Sequence, residues 1–193
     1  MNKAVFIDKD GTLIPDIPYN TDPELLTLND YAALGLAVLQ NAGYMIIVIT
    51  NQSGIAMGYF VESRLKGVKT KIGSLLYDNG VTLNGFLYCP HYPEGNIVEY
   101  AIDCECRKPK PGMLIQAALR WHIDLDESWM LGDILNDVEA ANRAGCKSIL
   151  IDNGGETQWQ TGFYRAPDYI AKNIHEAANY ILNKDNERGL GGL

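Results

Sequence analysis

Basic residues and long apolar runs are both scarce in this chain. Its 193 residues include 16 lysines and arginines against 24 aspartates and glutamates, which gives a formal net charge of −8 at pH 7. Nucleic acids and anionic membranes attract basic proteins, so binding to either is disfavoured. There is no run of 18 apolar residues, which argues against a membrane-spanning helix. The N-terminus lacks the basic region and cleavage site of a signal peptide, and we therefore expect a cytoplasmic protein.

Cysteine is also uncommon, and three of the four cysteines stand near one histidine. Cys89 and His91 are followed, after twelve intervening residues, by Cys104 and Cys106. Three thiolates and an imidazole form a closed tetrahedral ligand set for Zn²⁺, and a reducing cytoplasm disfavours disulfides. The pattern therefore predicts a structural zinc site in a loop over residues 89–106, in preference to unpaired cysteines around a loop.

Short apolar runs alternate with helical patterns along the chain. Apolar runs typical of buried strands cover residues 4–8, 44–50, 85–89, 129–132 and 147–152. Apolar residues at helical spacing follow over residues 31–42, 62–79, 111–121, 136–144 and 173–182. This alternation predicts an α/β fold with a doubly wound, Rossmann-like parallel sheet.

The length of the chain fits a single domain over residues 1–183. The segment 11–21 is too short to hold a large cap domain. Cys146 stands apart from the other cysteines, and we expect it in the core. Residues 184–193 are expected to be a disordered tail, because three of the last five residues are glycine. The sequence shows no clear self-association surface, so we expect a monomer.

Two carboxylates follow the first apolar run, in the motif Asp8-Lys9-Asp10-Gly11-Thr12. Side chains alternate along a strand, so Asp8 and Asp10 are expected on one face, at the edge of the sheet where α/β proteins bind ligands. Converging carboxylates repel each other unless a metal ion or a shared proton neutralises them. The pair suits Mg²⁺ binding with one acid acting as a nucleophile; the alternative is an ordinary strand end with an Asp-Gly turn.

Three further polar groups follow later strands. Residues 50–54 form a turn whose hydroxyl, amide and N–H groups can hold phosphate oxygens. Arg107 and Lys108 place adjacent cations before a helix, and both side chains bind phosphate. Asp133 ends another apolar run, with Asp137 four residues later. Asp133 is placed to complete a magnesium site, although helix capping alone also explains it.

Together these signals resemble the four motifs of the haloacid dehalogenase-like phosphatase superfamily, and the resemblance covers almost the whole chain. It implies a phosphoric monoester hydrolase in which Asp8 is the nucleophile and Asp10 is the general acid and base. It also implies that Thr50 and Lys108 stabilise the phosphoryl oxygens during transfer.

The same resemblance implies a magnesium ion among these side chains. Its expected ligands are Asp8, the main-chain carbonyl of Asp10, and Asp133, with Asp137 supporting the site from behind. The zinc would be structural, and by its position it would hold the neighbouring Arg107 at the crevice to read the substrate.

The zinc loop narrows the resemblance to the D-glycero-D-manno-heptose 1,7-bisphosphate 7-phosphatases. These enzymes act on a small phosphorylated sugar and supply activated heptose for bacterial surface polysaccharides such as lipopolysaccharide. By this resemblance the substrate-binding residues are Asp16, Ile17, Pro18, Tyr19, Asn51, Gln52, Ser53 and Arg107. The related histidinol-phosphate phosphatases share a similar zinc loop, but they typically have aspartate where Ser53 stands.

Three positions depart from the heptose branch. Met57 and Ile134 stand where arginine and lysine are common, and Lys9 replaces a frequent arginine, which is a milder change. The two lost cations leave the distal phosphate, the anomer and the sugar itself open, and they spare the phosphoryl-transfer residues.

The alternatives are a histidinol-phosphate phosphatase, a broader sugar-phosphate phosphatase, and a catalytically silent zinc-binding interaction module. The retained cluster of Asp8, Asp10, Lys108 and Asp133 argues against the last, because a purely structural role does not need such a costly group of charges.

Overall fold

The computed structural model describes residues 1–190, with side chains as far as residue 187. Its centre is a sheet of parallel strands, and these strands are β1 Lys3–Ile7, β2 Tyr44–Asn51, β3 Leu83–Cys89, β4 Trp129–Gly132, β5 Lys147–Ile151 and β6 Tyr169–Ala171. The strands lie in the order β3-β2-β1-β4-β5-β6, and each neighbouring pair is parallel. The predicted doubly wound sheet is therefore confirmed.

Helices cover both faces of this sheet. They are α1 Ala32–Asn41, α2 Gly54–Met57, α3 Leu65–Tyr77, α4 Gly112–Trp121, α5 Leu135–Ala144 and α6 Ile174–Leu190. Alternation along β1 divides the apolar core into two layers: Val5 and Ile7 pack on one side, and Ala4 and Phe6 on the other. Helices α1, α3 and α6 contribute to the first layer, and α4 and α5 to the second. Burial on both faces explains why the strands are almost wholly apolar.

The strand order places the functional edge of the sheet. The chain runs from β1 outward to β2 and β3, then returns to the other side of β1 to form β4. Ligand crevices of open α/β sheets lie at such a reversal, beyond the carboxyl ends of the strands. The segments that follow β1, β2 and β4 meet there. Between β1 and α1 the chain forms a tight turn and a short 3-10 helix at Pro23–Leu25, with no large cap domain.

The C-terminal region differs from the expected disordered tail over residues 184–193. Helix α6 continues to Leu190, and residues 191–193 lie outside the described part of the chain. Asp185 accepts hydrogen bonds of 3.0 Å from the Tyr44 hydroxyl and forms a 2.8 Å ion pair with Lys3. These contacts with β1 and β2 extend the helix beyond the apolar pattern from which its end was predicted.

Two short elements carry too little periodic signal to be predicted from sequence. They are the three-residue edge strand β6 and the single-turn helix α2. In the part of the chain that the structure describes, no helix combines the length and apolar character needed to cross a membrane.

Candidate active site and metal centres

A cavity of about 930 Å³ opens at the carboxyl edge of the sheet. It is lined by Asp8 after β1, Thr50 at the end of β2, Asp133 after β4, and Lys108 from the loop before α4. Asp8, Thr50 and Asp133 stand at the carboxyl ends of buried apolar strands, and Lys108 comes from a loop. The fold thus brings together residues that lie far apart in sequence. The catalytic residues predicted from the motifs therefore face one cavity.

Three carboxylates crowd around one lysine on the floor of this cavity. Oxygen atoms of Asp8, Asp133 and Asp137 lie within 4.8 Å of one another, and we call these residues the carboxylate cluster. Lys108 Nζ lies 2.5 Å from an oxygen of Asp8 and 2.5 Å from an oxygen of Asp137, and it donates a 3.0 Å hydrogen bond to the carbonyl of Ile49. Asp137 is therefore a direct member of the charged group. Its side chain is fully buried and does not line the cavity, and its supporting role behind the metal ligands stays a prediction.

The excess negative charge perturbs every member of this group. Burial, opposed by Lys108, raises the pKa of Asp8 to about 7, and burial together with the charge of Asp8 raises the pKa of Asp133 to about 6. The pKa of Asp137 is also raised, chiefly by burial. Burial alone would lower the pKa of Lys108, but Asp137 and Asp8 more than offset it, so the pKa is raised. One ammonium cannot balance three buried carboxylates, and an all-oxygen donor set with excess negative charge suits Mg²⁺.

The glycine of the first motif is required by the close approach of Asp133. Gly11 has a φ of +82°, and a Cβ atom there would lie 2.1 Å from a carboxylate oxygen of Asp133. Thr12 donates a 3.0 Å hydrogen bond to the other oxygen of the same carboxylate. The Gly-Thr pair thus holds Asp133 against the turn that follows β1.

The loop after β5 also packs against Asp133 and the Gly11 turn, a contribution that the sequence did not predict. Asn153 donates a 2.6 Å hydrogen bond to the carbonyl of Gly11, and a Cβ atom on Gly155 would lie 2.2 Å from Asp133. The only signal in the sequence was an asparagine and two glycines directly after an apolar strand. That pattern is common in ordinary turns.

Asn51 fixes the main chain that carries Lys108. Its side chain donates to the Lys108 carbonyl at 3.0 Å and accepts from the Lys108 N–H at 3.1 Å. The amide thereby joins the end of β2 to the loop before α4. This contact explains how a lysine on an irregular loop enters a buried site.

The sequence predicted that Asp10 would share a strand face with Asp8, and the structure does not confirm this. Strand β1 ends at Ile7, and Asp10 lies in the turn that follows. Its carboxylate pairs with Lys9 Nζ at 2.9 Å and accepts from Gln52 Nε2 at 3.0 Å. The side chain therefore lies outside the carboxylate cluster, although it still lines the same cavity.

A second cavity, of about 290 Å³, adjoins the first across Asp10. The predicted substrate residues that line it are Asp16, Pro18, Tyr19, Asn51, Gln52 and Ser53. Ile17 is not among the lining residues of either cavity. Neither is Arg107, whose guanidinium donates to the His91 carbonyl at 3.1 Å and stacks on the Tyr92 ring at 4.9 Å.

Four sulfur and nitrogen donors converge beside β3. Cys89, His91, Cys104 and Cys106, which we call the Cys3His cluster, have donor atoms within 4.8 Å of one another. Neighbouring donors are 3.1 to 3.7 Å apart, close to the edges of about 3.5 to 3.7 Å expected for tetrahedral Zn²⁺. The hydrogen bond between Cys89 and Cys106 lowers the pKa of the Cys106 thiol and raises the pKa of the Cys89 thiol. All four cysteines of the chain are free of disulfides.

Comparison with known proteins gives relatives over almost the whole chain. The D-glycero-β-D-manno-heptose-1,7-bisphosphate 7-phosphatase of Pasteurella multocida is 39% identical over 94% of this chain and 97% of its own length. The chain belongs to the heptose bisphosphate phosphatase family. The enzyme of the same name from Haemophilus ducreyi is 40% identical over 93% of this chain and 98% of its own length. A family profile described as HAD-hydrolase-like matches residues 105–177, which include Lys108, Asp133 and Asp137.

Solved structures of phosphatases share the fold of this chain. The D,D-heptose 1,7-bisphosphate phosphatase of B. bronchiseptica, solved with magnesium and phosphate, has a TM-score of 0.80 and 28% identity, and covers 94% of this chain and 99% of that one. A HAD-like phosphatase from Mesorhizobium loti has a TM-score of 0.82 and 33% identity, over 94% of this chain and 87% of that one. The heptose bisphosphate phosphatase fold, with no large cap domain, therefore describes this chain.

Proposed function

We propose that this protein is a magnesium-dependent phosphatase that removes the 7-phosphate of D-glycero-β-D-manno-heptose 1,7-bisphosphate during the biosynthesis of nucleotide-activated heptose. The observation that carries the proposal is the position of Asp8, which contacts a buried lysine on the floor of a cavity large enough for a sugar phosphate. The similarity to enzymes of that name over almost the whole chain supports the choice of substrate. A cytoplasmic location and a monomeric state stay predictions.

Asp8 begins the reaction as the nucleophile. One of its oxygens is bound by Lys108, and the other attacks the phosphorus atom of the substrate to form an aspartyl-phosphate. The bond between phosphorus and the sugar oxygen breaks, and its electron pair stays on that oxygen. Asp10, at the boundary of the two cavities, gives the oxygen a proton, so that a neutral alcohol leaves.

Water completes the cycle by attacking the aspartyl-phosphate. Asp10, now ionised, takes a proton from the water as the new bond to phosphorus forms, and the bond between phosphorus and Asp8 breaks. Inorganic phosphate and the starting carboxylate result. Lys108 and the Thr50 hydroxyl stabilise charge on the phosphoryl oxygens in both steps, because both side chains line the cavity that contains Asp8.

The carboxylate cluster would hold Mg²⁺. Asp8 and Asp133 are its side-chain ligands, the Asp10 carbonyl is a third, and Asp137 holds Lys108 beside them. When bound, the ion neutralises the cluster and so lets an anionic nucleophile approach an anionic phosphate. The raised pKa values of Asp8 and Asp133, which come mainly from burial, support this assignment, because a bound cation stabilises the ionised form of a buried carboxylate.

The Cys3His cluster would hold Zn²⁺ with all four positions filled by protein. A closed site of this kind is structural, so the ion orders the loop over residues 89–106 and takes no part in phosphoryl transfer. That loop leads directly into Lys108, so its order determines where the lysine enters the cavity.

Phosphate release from heptose 1,7-bisphosphate, with both anomers compared beside histidinol phosphate, tests the proposal. We expect a strong preference for the β-anomer, and ³¹P spectra of the product should show that the 1-phosphate remains. Asp8→Asn should lower turnover by at least about 1,000-fold without loss of fold, whereas Asp78→Asn, an exposed residue after α3, should have no effect. A preference for histidinol phosphate, or normal turnover by Asp8→Asn, would contradict the proposal.

A further inference from the structure

Lys9 is a buried lysine that lines the second cavity beside Asp10. The residue is 1% exposed, and its side chain lies among the largest fully buried ones of the described chain. Its Nζ atom lies 2.9 Å from one oxygen of Asp10, the only ion-pair partner found for it in the part of the chain described. An ammonium group is costly to bury, and its pairing with a carboxylate offsets that cost. The arrangement therefore ties the position of Lys9 to that of Asp10.

Gln52 holds the other oxygen of the same carboxylate. Its Nε2 atom donates to Asp10 Oδ2 at 3.0 Å and to the hydroxyl of Thr50 at 2.9 Å. Its main-chain N–H donates to the carbonyl of Cys89 at 2.7 Å, which fixes the residue at the edge of the sheet. The two oxygens of Asp10 thus have separate donors, one from the turn after β1 and one from the end of β2.

The two donors decide where the Asp10 carboxyl group points. Without them the side chain could turn toward the carboxylate cluster or toward solvent, since it is about one-third exposed. With both in place it stays at the boundary between the cavity that contains Asp8 and the cavity that the predicted sugar-binding residues line. In the proposed reaction the phosphoryl group lies beside Asp8 and the sugar lies in the second cavity. The bond that breaks between phosphorus and the sugar oxygen would therefore lie at that boundary.

We propose that Lys9 and Gln52 are positioning residues that hold the Asp10 carboxyl group toward the oxygen of the leaving group. The inference rests on the proposed phosphatase reaction. As the bond between phosphorus and the sugar oxygen breaks, the electron pair goes to that oxygen and the proton comes from Asp10. Lys9 borders the second cavity, but its side chain is only 2% exposed, so its role is to position Asp10 and not to bind substrate.

A comparison of leaving groups separates positioning from a general structural role. An alkyl phosphate such as a sugar phosphate releases a strongly basic oxygen and needs a proton, whereas p-nitrophenyl phosphate releases a weakly basic one and does not. The release of the leaving group in the first turnover should be measured for Lys9→Met, Lys9→Arg and Gln52→Met. Lys69→Met, an exposed lysine on α3, is the matched control.

We expect Lys9→Met and Gln52→Met to slow the first turnover of the sugar phosphate at least about tenfold, and that of p-nitrophenyl phosphate less than about threefold. The KM of Lys9→Met should change little, and Lys9→Arg should restore most of the rate. Equal losses on both substrates, or no loss on either, would overturn the inference. Should Lys9→Met fail to fold, Gln52→Met gives the same comparison. The assay uses any alkyl phosphate that the wild-type enzyme hydrolyses, so an error in the proposed sugar would not affect it.

Discussion

The carboxylate cluster and the Cys3His cluster lie at the same edge of the sheet, but they differ in how they meet solvent. Asp8 and Asp133 line a cavity of about 930 Å³, and the buried ammonium of Lys108 pairs with Asp8 and with the fully buried Asp137. The thiols and imidazole lie beside the end of β3, outside the lining of both active-site cavities, and satisfy one another. An open set of oxygen donors leaves room for substrate, whereas a closed set of sulfur and nitrogen donors leaves none.

A short segment joins the two clusters. Cys106 and Lys108 are two residues apart, and Asn51 binds the main chain of Lys108 from the neighbouring strand. Lys108 is therefore the structural link between the Cys3His cluster and the carboxylate cluster. Any effect of the Cys3His cluster on the proposed reaction would pass through the position of that lysine.

Removal of a thiol from the Cys3His cluster should have the largest effect, on zinc content, stability and turnover. Cys104→Ser takes one donor from the Cys3His cluster, so the protein should lose its zinc and its melting temperature should fall by about 10 °C or more. Turnover should also fall as the loop loosens around Lys108. Zinc content by elemental analysis and thermal unfolding measure both changes.

Cys146→Ala is the matched control for that experiment. Cys146 is a buried core residue outside the cluster, so this variant should keep its zinc even though it loses some packing. Unchanged zinc content in Cys104→Ser would contradict the ligand set.

A smaller effect should follow when the link between the clusters is cut and both are left in place. Asn51→Ala removes two hydrogen bonds to the main chain of Lys108, each contributing about 1 kcal/mol, so kcat should fall by about 30-fold. Zinc content should stay unchanged. Steady-state kinetics and elemental analysis test this, with Asn79→Ala at the end of α3 as a control. An unchanged kcat would mean that the loop alone positions Lys108.

The smallest effect should appear in stability as pH changes. Folding raises the pKa of Asp8 to about 7 and of Asp133 to about 6 from ordinary values of 3.8, so the folded state holds these protons more tightly than the unfolded state does. Their contribution to stability is full below about pH 4 and is lost as the pH rises through 6 and 7. After dialysis against magnesium-free buffer, the melting temperature should therefore fall by about 5 °C over this range.

Added Mg²⁺ should reverse the fall, with a larger gain at pH 8 than at pH 5.5, because the ion competes with protons for the same oxygens. Asp133→Asn removes one of the titrating groups and should flatten the pH profile. A magnesium effect of equal size at both pH values would argue against binding at the carboxylate cluster.

Local chemistry was sufficient to predict most of the site. Asp8, Thr50 and Asp133 each follow a buried apolar run, and the carboxyl ends of parallel strands meet at one edge, so their convergence followed once the sheet was predicted. The Cys3His cluster was equally accessible, because few arrangements other than a metal site bring three cysteines and a histidine so close along a chain.

Other parts of the site depended on contacts between distant segments. The turn that directs Asp10 toward Lys9 and Gln52 follows from where β1 ends, which the alternating pattern did not reveal. The partners of Arg107 on the Cys3His loop have no local signal either.

The sequence by itself therefore determined the order of strands and helices along the chain, the acids that end the strands, and the side chains that meet in the Cys3His cluster, because each depends on neighbouring residues and on simple periodicity. Only the tertiary structure decided that Asp137 contacts Lys108 directly, that Asn51 holds the main chain of that lysine, and that α6 continues past its apolar pattern to bring Asp185 against Lys3 and Tyr44. These features arise where polar groups from separate elements satisfy one another, and the free energy of such contacts depends on which elements the whole fold brings together.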